Sequence, residues 1–340
     1  MMYNIKKILN FFSGVVLKNS KKLNLSVTSK CNMKCKSCNI WKIYKKHPEL
    51  IKKELGLSDY KIFFKKFNYW NWISFTGGEP FLRKNLADIV TSAVQNCKNL
   101  HTISIPTNGY STNKIVNDIK KILATNIPSF YVTVSLDGSK EVHDKIRGKG
   151  SSFEHAIKTF KILKKIKDRR FKIHFEYTIS KYNQGNLSNF INESNFCVND
   201  FFITIAQKSY FYKNLNIDCI PDKVILKEDI KFFLSEYKIN VLHDLGQWIF
   251  LQYVLNDKKI PCVANKNTFF MDPYGKIFPC TLIQKQTGDA NNGITEIFKK
   301  DAECSCYTPC ESYFSLMLNY YSLFYSMYLN YFNRPSPQIL

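Results

Sequence analysis

The stretch LNLSVTSKCNMKCKSCNIW (residues 23–41) joins a short strand-like run to Cys31, Cys35 and Cys38, spaced C-x3-C-x2-C. Positions i, i+4 and i+7 share a helix face, so three core cysteines are one reading. The neighbours oppose it: Asn32, Lys34, Lys36, Ser37 and Asn39 offer few apolar partners. Zinc is a second reading, but it wants four N or S ligands in a closed tetrahedron. His47, the nearest histidine, lies nine residues on, beside Pro48. Three thiolates suit a four-iron cluster better, with one iron left open for a small molecule.

Outward from this stretch, strand-like and helix-like segments alternate. The strands expected are 23–28, 72–76, 102–107, 130–136, 171–179 and 200–206, with helices over 58–68, 86–98, 112–124, 153–167 and 186–195. Six βα units in a row imply an α/β fold, a parallel sheet with right-handed crossovers. The strands end in polar or glycine-rich turns: TSKCNMKC, TGGEP, PTNG, SLDG, SKYNQGN and AQK. In parallel barrels the chemistry gathers at these carboxyl ends.

TGGEP ends the second strand. Adjacent Gly77 and Gly78 allow a close approach to the backbone, and Glu79 sets a carboxylate suited to an ammonium group beside it. Pro80 opens the next segment, and Asn85 with Asp88 has the look of a helix N-terminal cap. A lone Gly-Gly-Glu is ordinary turn chemistry; after the cysteine triplet it is a strong signal.

With these motifs in order over about residues 23–207, the chain resembles the radical S-adenosylmethionine (SAM) enzymes. The resemblance implies an open, partial (β/α)6 barrel of the TIM type. It implies that Cys31, Cys35 and Cys38 hold a [4Fe-4S] cluster whose open iron chelates SAM. Reductive cleavage then gives a 5′-deoxyadenosyl radical that takes hydrogen from a substrate, here a peptide, sugar or lipid-like molecule. By position, Gly77, Gly78, Glu79 and Pro80 fall on the methionine side, and Ser135 and Asp137 near the ribose or substrate. Asn108 and Arg147 are weaker candidates, being a turn asparagine and a solvated arginine in the common case. Ser37 stands where an adenine-contacting aromatic is frequent, and Trp41 is the nearest ring.

A second cysteine group follows: Cys262, Cys280, Cys304, Cys306 and Cys310. CVANKNTFFMDPYGKIFPC (262–280) resembles the opening of SPASM and twitch auxiliary-cluster domains, with Asp272–Gly275 as a turn. The resemblance implies one auxiliary [4Fe-4S] cluster held by four of the five, with Cys304 and Cys306 as alternatives. A structural zinc knuckle is the other reading.

The 340 residues suffice for one large and one smaller unit. Eleven cysteines, clustered in a lysine-rich chain, fit metal ligation in a reducing compartment, hence the cytoplasm. Cys97, Cys197 and Cys219 read as small core side chains. The net charge of +22 is spread over helix faces and does not itself call for nucleic acid. The expected division is an N-terminal amphipathic helix (1–20), the barrel (21–225), a helical linker with the auxiliary domain (226–312) and an aromatic helix or tail (313–340). Uncharged residues 312–333 carry a stripe of Ser315, Asn319, Ser322, Ser326 and Asn330, which suits packing on protein or peripheral membrane contact. The partners expected are a substrate and an electron donor such as ferredoxin or flavodoxin. A non-catalytic zinc protein that uses two cysteine clusters to bind partners is the competing class.

Overall fold

The computed structural model describes residues 20–240, 242–297 and 306–319. Strands β1 (Lys22–Ser26), β2 (Trp72–Thr76), β3 (Thr102–Thr107), β4 (Ser129–Ser135), β5 (Phe171–Ile179) and β6 (Phe201–Ile205) lie parallel in chain order. Each matches a strand expected from the sequence to within two residues. Between them run α1 (Leu57–Lys66), α2 (Leu86–Asn96), α3 (Thr112–Leu123), α4 (Lys140–Arg147), α5 (Ser152–Leu163) and α6 (Leu187–Glu193). Helix α4 was not anticipated, because its only aliphatic positions are Val142 and Ile146, too few to show a period. Asn85 does occupy the N-cap position of α2, but its side chain accepts from Arg83 Nε rather than capping the helix.

The two faces of the sheet divide by chemistry. Leu23, Leu25, Ile73, Phe75, Ile103, Ile105, Phe130 and Val132 point to the helices and are fully buried. Each contributes about 1.5–3 kcal/mol of apolar burial. The opposite face is polar and hydrogen-bonded from strand to strand. Trp72 Nε1 donates to Ser104 Oγ (2.9 Å), Thr133 Oγ1 to Glu176 Oε2 (2.6 Å), and the Thr178 and Thr204 hydroxyls are 2.9 Å apart. That is the inner face of an open barrel.

After β6 come α7 (Lys223–Glu236), started by Asp222 accepting from Val224 N and Ile225 N, and α8 (Leu242–Leu255). The chain then returns to the opposite edge. β7 (Thr268–Met271) pairs in parallel with β1, in register Lys22↔Thr268, and β8 (Lys276–Phe278), β9 (Gly288–Asp289) and β10 (Gly293–Ile294) follow antiparallel. One ten-stranded sheet therefore contains both the barrel strands and the strands of the cysteine-rich segment. The turn expected at Asp272–Gly275 forms: Asp272 Oδ1 accepts from Tyr274 N and Lys276 N, and Gly275 has φ of 87°.

The last described helix is α9 (Pro309–Asn319). Glu311 to Ser315 and Leu316 are all buried, so this helix is enclosed rather than amphipathic. Glu311 Oε1 accepts from Asn24 Nδ2 on β1, the Phe314 ring lies 6.2 Å from Trp72 on β2, and Tyr313 lies 4.7 Å from Phe202 on β6. One helix can touch strands at both ends of the six only if the sheet curls around it. Residues 1–19 and 320–340, with Ser322, Ser326 and Asn330, lie outside the described residues. No helix among the described residues is long and apolar enough to cross a membrane. Cys97 and Cys219 are core side chains as expected. Cys197 is not: it is exposed, in the turn that leads into β6.

Candidate active site

The cysteine loop is fixed by backbone contacts on three sides. On the first, Gly78 N donates to Thr28 O and Glu79 N to Lys30 O, both at 2.8 Å. A β-carbon on Gly77 would lie 2.3 Å from Thr28 O, and one on Gly78 2.4 Å from Lys30 O. The close approach that the glycines permit is thus made by the chain's own loop. On the second side, Lys34 N donates to Arg147 O and Lys36 N to Ile146 O, the last carbonyls of α4 (both 2.9 Å). On the third, Asn39 N donates to Tyr212 O (2.8 Å) and Asn214 Nδ2 to Ser37 O (2.8 Å), from the loop after β6.

Within this frame Cys31, Cys35 and Cys38 line one cavity of about 230 Å³. Gly77, Gly78, Glu79, Pro80, Asn108, Ser135, Asp137 and Arg147 line it as well, so every residue singled out for the first site is brought together there. Ser37 and Trp41 both reach it, and Trp41 Nε1 donates to Cys38 O. Sequence reading missed Glu176, Thr178, Thr204, Gln207, Tyr212 and Thr308 in the wall. A signal existed for Glu176: FKIHFEYTI (171–179) alternates, and its polar members Lys172, His174, Glu176 and Thr178 share one face.

The carboxylates differ in their commitments. Glu79, buried, accepts from Thr107 Oγ1 (2.8 Å), Asn108 N (2.7 Å) and Phe81 N (3.2 Å). Burial pushes it up to about 7 despite those three donors. Asp137 receives Arg147 Nε at 2.7 Å, and that guanidinium also stands 4.0 Å from Cys35 Sγ. Burial opposes the charge on Arg147, but Asp137 and Cys35 hold its pKa above the ordinary value. Arg147, one of the candidates for the site, is therefore an ion-paired group in the cavity wall with little of its side chain exposed. Burial likewise raises Glu176, which has Thr133 as its hydroxyl donor.

His143 illustrates how tightly the site is set. Its Nδ1 accepts from Asp137 N at 3.0 Å, while the Asp137 carboxylate is 3.9 Å away. The ring is thus a neutral acceptor, and burial lowers its pKa to about 4. Between pH 6.5 and 4 the unfolded chain binds a proton that the folded chain refuses, so stability falls as pH falls through that window. The loss expected is on the order of 3 kcal/mol, and His143→Gln, which still accepts but does not titrate, should lack it. Equal acid-dependent loss in urea melts of both proteins would contradict this.

The donor set fits a thiolate-bound metal cluster. Burial pushes the Cys31 thiol up to about 12 and raises Cys35 and Cys38 too, so ionising all three requires positive charge in the cavity. Among the described residues no three Cys, His, Asp or Glu side chains converge as ligands of one ion do. His47 is exposed beside Glu49, outside the cavity lining, which removes it as a fourth zinc ligand.

Of the second cysteine group, Cys262 and Cys306 line a small cavity with Glu311 and Ser315, of about 10 Å³, room for roughly one water. Cys280 is buried behind β8 and accepts from Leu282 N. Cys304 and the side chain of Cys310 lie outside the described residues.

Residues 25–184 match the family model described as the Radical SAM superfamily. A radical SAM cyclopropyl synthase, TigE of Paramaledivibacter caminithermalis, is 28% identical over 80% of this chain and 60% of its own. AlbA of Bacillus subtilis, an antilisterial bacteriocin subtilosin biosynthesis protein, is 24% identical over 76% of this chain and 54% of its own. The chain thus spans less than two thirds of the length of these relatives. Among solved structures, Streptococcus suis SuiB bound to its precursor peptide SuiA superposes with a TM-score of 0.58 at 14% identity, over 92% of this chain and 74% of that one. Native anSMEcpe with bound AdoMet and a peptide gives 0.54 at 16%, over 92% and 99%. The parallel barrel is common to these structures, and residues 25–184 are a radical SAM domain.

Proposed function

We propose that this chain is an enzyme that binds a [4Fe-4S] cluster and SAM in the barrel cavity and modifies a peptide. The observation that carries this is the meeting of Cys31, Cys35 and Cys38 with Gly77–Pro80, Asp137 and Arg147 in one cavity. When bound and reduced, the cluster supplies the electron that splits a carbon–sulfur bond of SAM and starts hydrogen abstraction. The chain's own part is to hold and shield. Cys31, Cys35 and Cys38 would hold three irons, leaving the fourth for the amino and carboxyl groups of SAM. Glu79 and the Arg147–Asp137 pair both line the cavity that would take this zwitterion. The strands and α9 keep water from the inner face, which an indiscriminate radical requires.

A peptide is favoured over a sugar or lipid by the printed functions of the relatives: bacteriocin biosynthesis for AlbA, sporulation killing factor maturation for SkfB, and peptide-bound SuiB and anSMEcpe. An auxiliary [4Fe-4S] cluster on four of Cys262, Cys280, Cys304, Cys306 and Cys310 belongs to the same proposal. Support for it comes from Cys262 and Cys306 sharing a cavity at the foot of α9.

Anaerobically reconstituted protein is expected to be brown, with about eight irons per chain. It should form 5′-deoxyadenosine when dithionite and SAM are added. Changing Cys31, Cys35 and Cys38 together to alanine should remove about four irons and lower product at least 1000-fold, on the order of 4 kcal/mol in the barrier. A colourless, zinc-loaded protein, or undiminished product from the triple variant, would refute the reading.

A further inference from the structure

The described wall of the barrel cavity carries three acids, Glu79, Asp137 and Glu176, and one cation, Arg147. The acids are not partnered alike. Asp137 holds Arg147, and Glu79 accepts from two backbone N–H groups and the Thr107 hydroxyl. Glu176 accepts from the Thr133 hydroxyl at Oε2, and no donor among the described residues reaches its Oε1. It is therefore the one acid of this wall with neither a cation nor a backbone N–H on its carboxylate. Burial disfavours its charge, a cost that a bound cation would offset.

The sheet sets where this carboxylate stands. Glu176 lies on β5 opposite Ser135 of β4 in register, on the face turned into the barrel. The cysteine loop and Gly77–Pro80 follow β1 and β2, and two further strands separate β2 from β5. Glu176 thus belongs to the wall away from the methionine side. Its surroundings there are acceptor-rich. The Thr178 and Thr204 hydroxyls bond each other at 2.9 Å, and Gln207 donates its amide to Ala206 O while its own oxygen receives no donor among the described residues. Ile205 and Ala206 add apolar surface to the same wall. A side chain that carries a cation on a hydrocarbon stem suits both features, with its head on the acceptors and its methylenes on the apolar part.

We propose that this wall is a subsite for a lysine or arginine side chain of the substrate peptide, with Glu176 as the residue that selects it. The inference rests on the peptide-modifying function proposed above and names the kind of residue presented to the radical. SAM brings an ammonium suited to Glu79, and Arg147 is already paired with Asp137. The acid on β5 is then left for the substrate. A neutral side chain of equal length would leave that carboxylate buried without a counter-charge, and an acidic one would set a like charge beside it.

The test uses the reconstituted full chain with SAM, dithionite and the peptides Ala-Ala-Xaa-Ala-Ala, where Xaa is perdeuterated lysine, norleucine or glutamate. Norleucine keeps the lysine stem without the ammonium. Abstraction breaks a C–D bond of Xaa and forms one at the 5′ carbon, so deuterated 5′-deoxyadenosine counts it. The peptide keeps the unpaired electron, and dithionite supplies the one that cleaves SAM. The parent should take deuterium from the lysine peptide at least tenfold faster than from the other two. Glu176→Gln should cut that preference at least fivefold, and Glu176→Lys should turn it toward glutamate. A purely structural role for Glu176 would lower all three rates together and keep their ratio. No preference in the parent, as when Glu176 faces the SAM sulfonium, would overturn the proposal. So would a preference unchanged in Glu176→Gln, or 5′-deoxyadenosine free of deuterium with every peptide. No 5′-deoxyadenosine under any condition would instead overturn the function on which the subsite rests, and the subsite with it.

Discussion

Gly78→Ala should destabilise the protein by about 1–3 kcal/mol, the range for forcing atoms into a packed interior, and strip much of its iron. The added methyl carbon would stand 2.4 Å from Lys30 O and 2.7 Å from Lys30 C, both backbone atoms that cannot rotate away. Relief requires the 28–30 segment to move off the β2 turn, which breaks Gly78 N to Thr28 O and Glu79 N to Lys30 O. That segment leads directly into Cys31, so the spacing of the triplet is lost with it. Iron content, thermal midpoint and SAM binding should therefore fall together. Gly150→Ala is the control, since nothing lies within 4 Å of a β-carbon there. A stable, fully iron-loaded Gly78→Ala protein would mean that the loop has slack the packing does not show.

Arg147→Met should cost more, about 3–5 kcal/mol, because it leaves Asp137 charged, buried and unpaired. The guanidinium Nε lies 2.7 Å from Asp137 Oδ2, and Asp137 is 2% exposed. Its remaining donors, Thr178 N at 3.4 Å and Asn183 Nδ2 to the backbone oxygen, do not replace a cation. The double variant Arg147→Met/Asp137→Asn removes both charges and should recover more than half of the lost stability. Cluster-dependent activity should stay low in both, because the positive charge 4.0 Å from Cys35 Sγ is gone. Recovery of activity along with stability in the double variant would show that Arg147 acts on the fold alone.

The barrel was legible because each strand alternates or runs apolar and ends in a turn with its own chemistry. WISFT, TISIPT and FKIHFEYTI were placed to the residue. Within the site, the residues that carry recognisable spacing, the triplet and GGEP, were found at once. What escaped notice depends on partners distant in sequence. Arg147 was a candidate, but its pairing with Asp137 shows only once α4 is folded against the end of β4. Glu176 reads as an ordinary strand residue until the sheet curls and turns that face into a cavity. Cys197 was read as a core side chain, but the turn before β6 leaves it exposed.

The pairing of β1 with β7 carries a consequence for how the chain is made. Lys22 must wait for Thr268 before its second edge is satisfied. At roughly 5–20 residues per second, a ribosome takes about 12–50 s to travel between them. Through that interval β1 is an open edge beside a lysine-rich loop whose cysteines are already synthesised, and α9 has yet to arrive beneath the sheet. The nascent chain therefore presents the triplet before the wall that encloses it. Iron delivery during synthesis would meet an accessible site, and α9 would then close the inner face behind it.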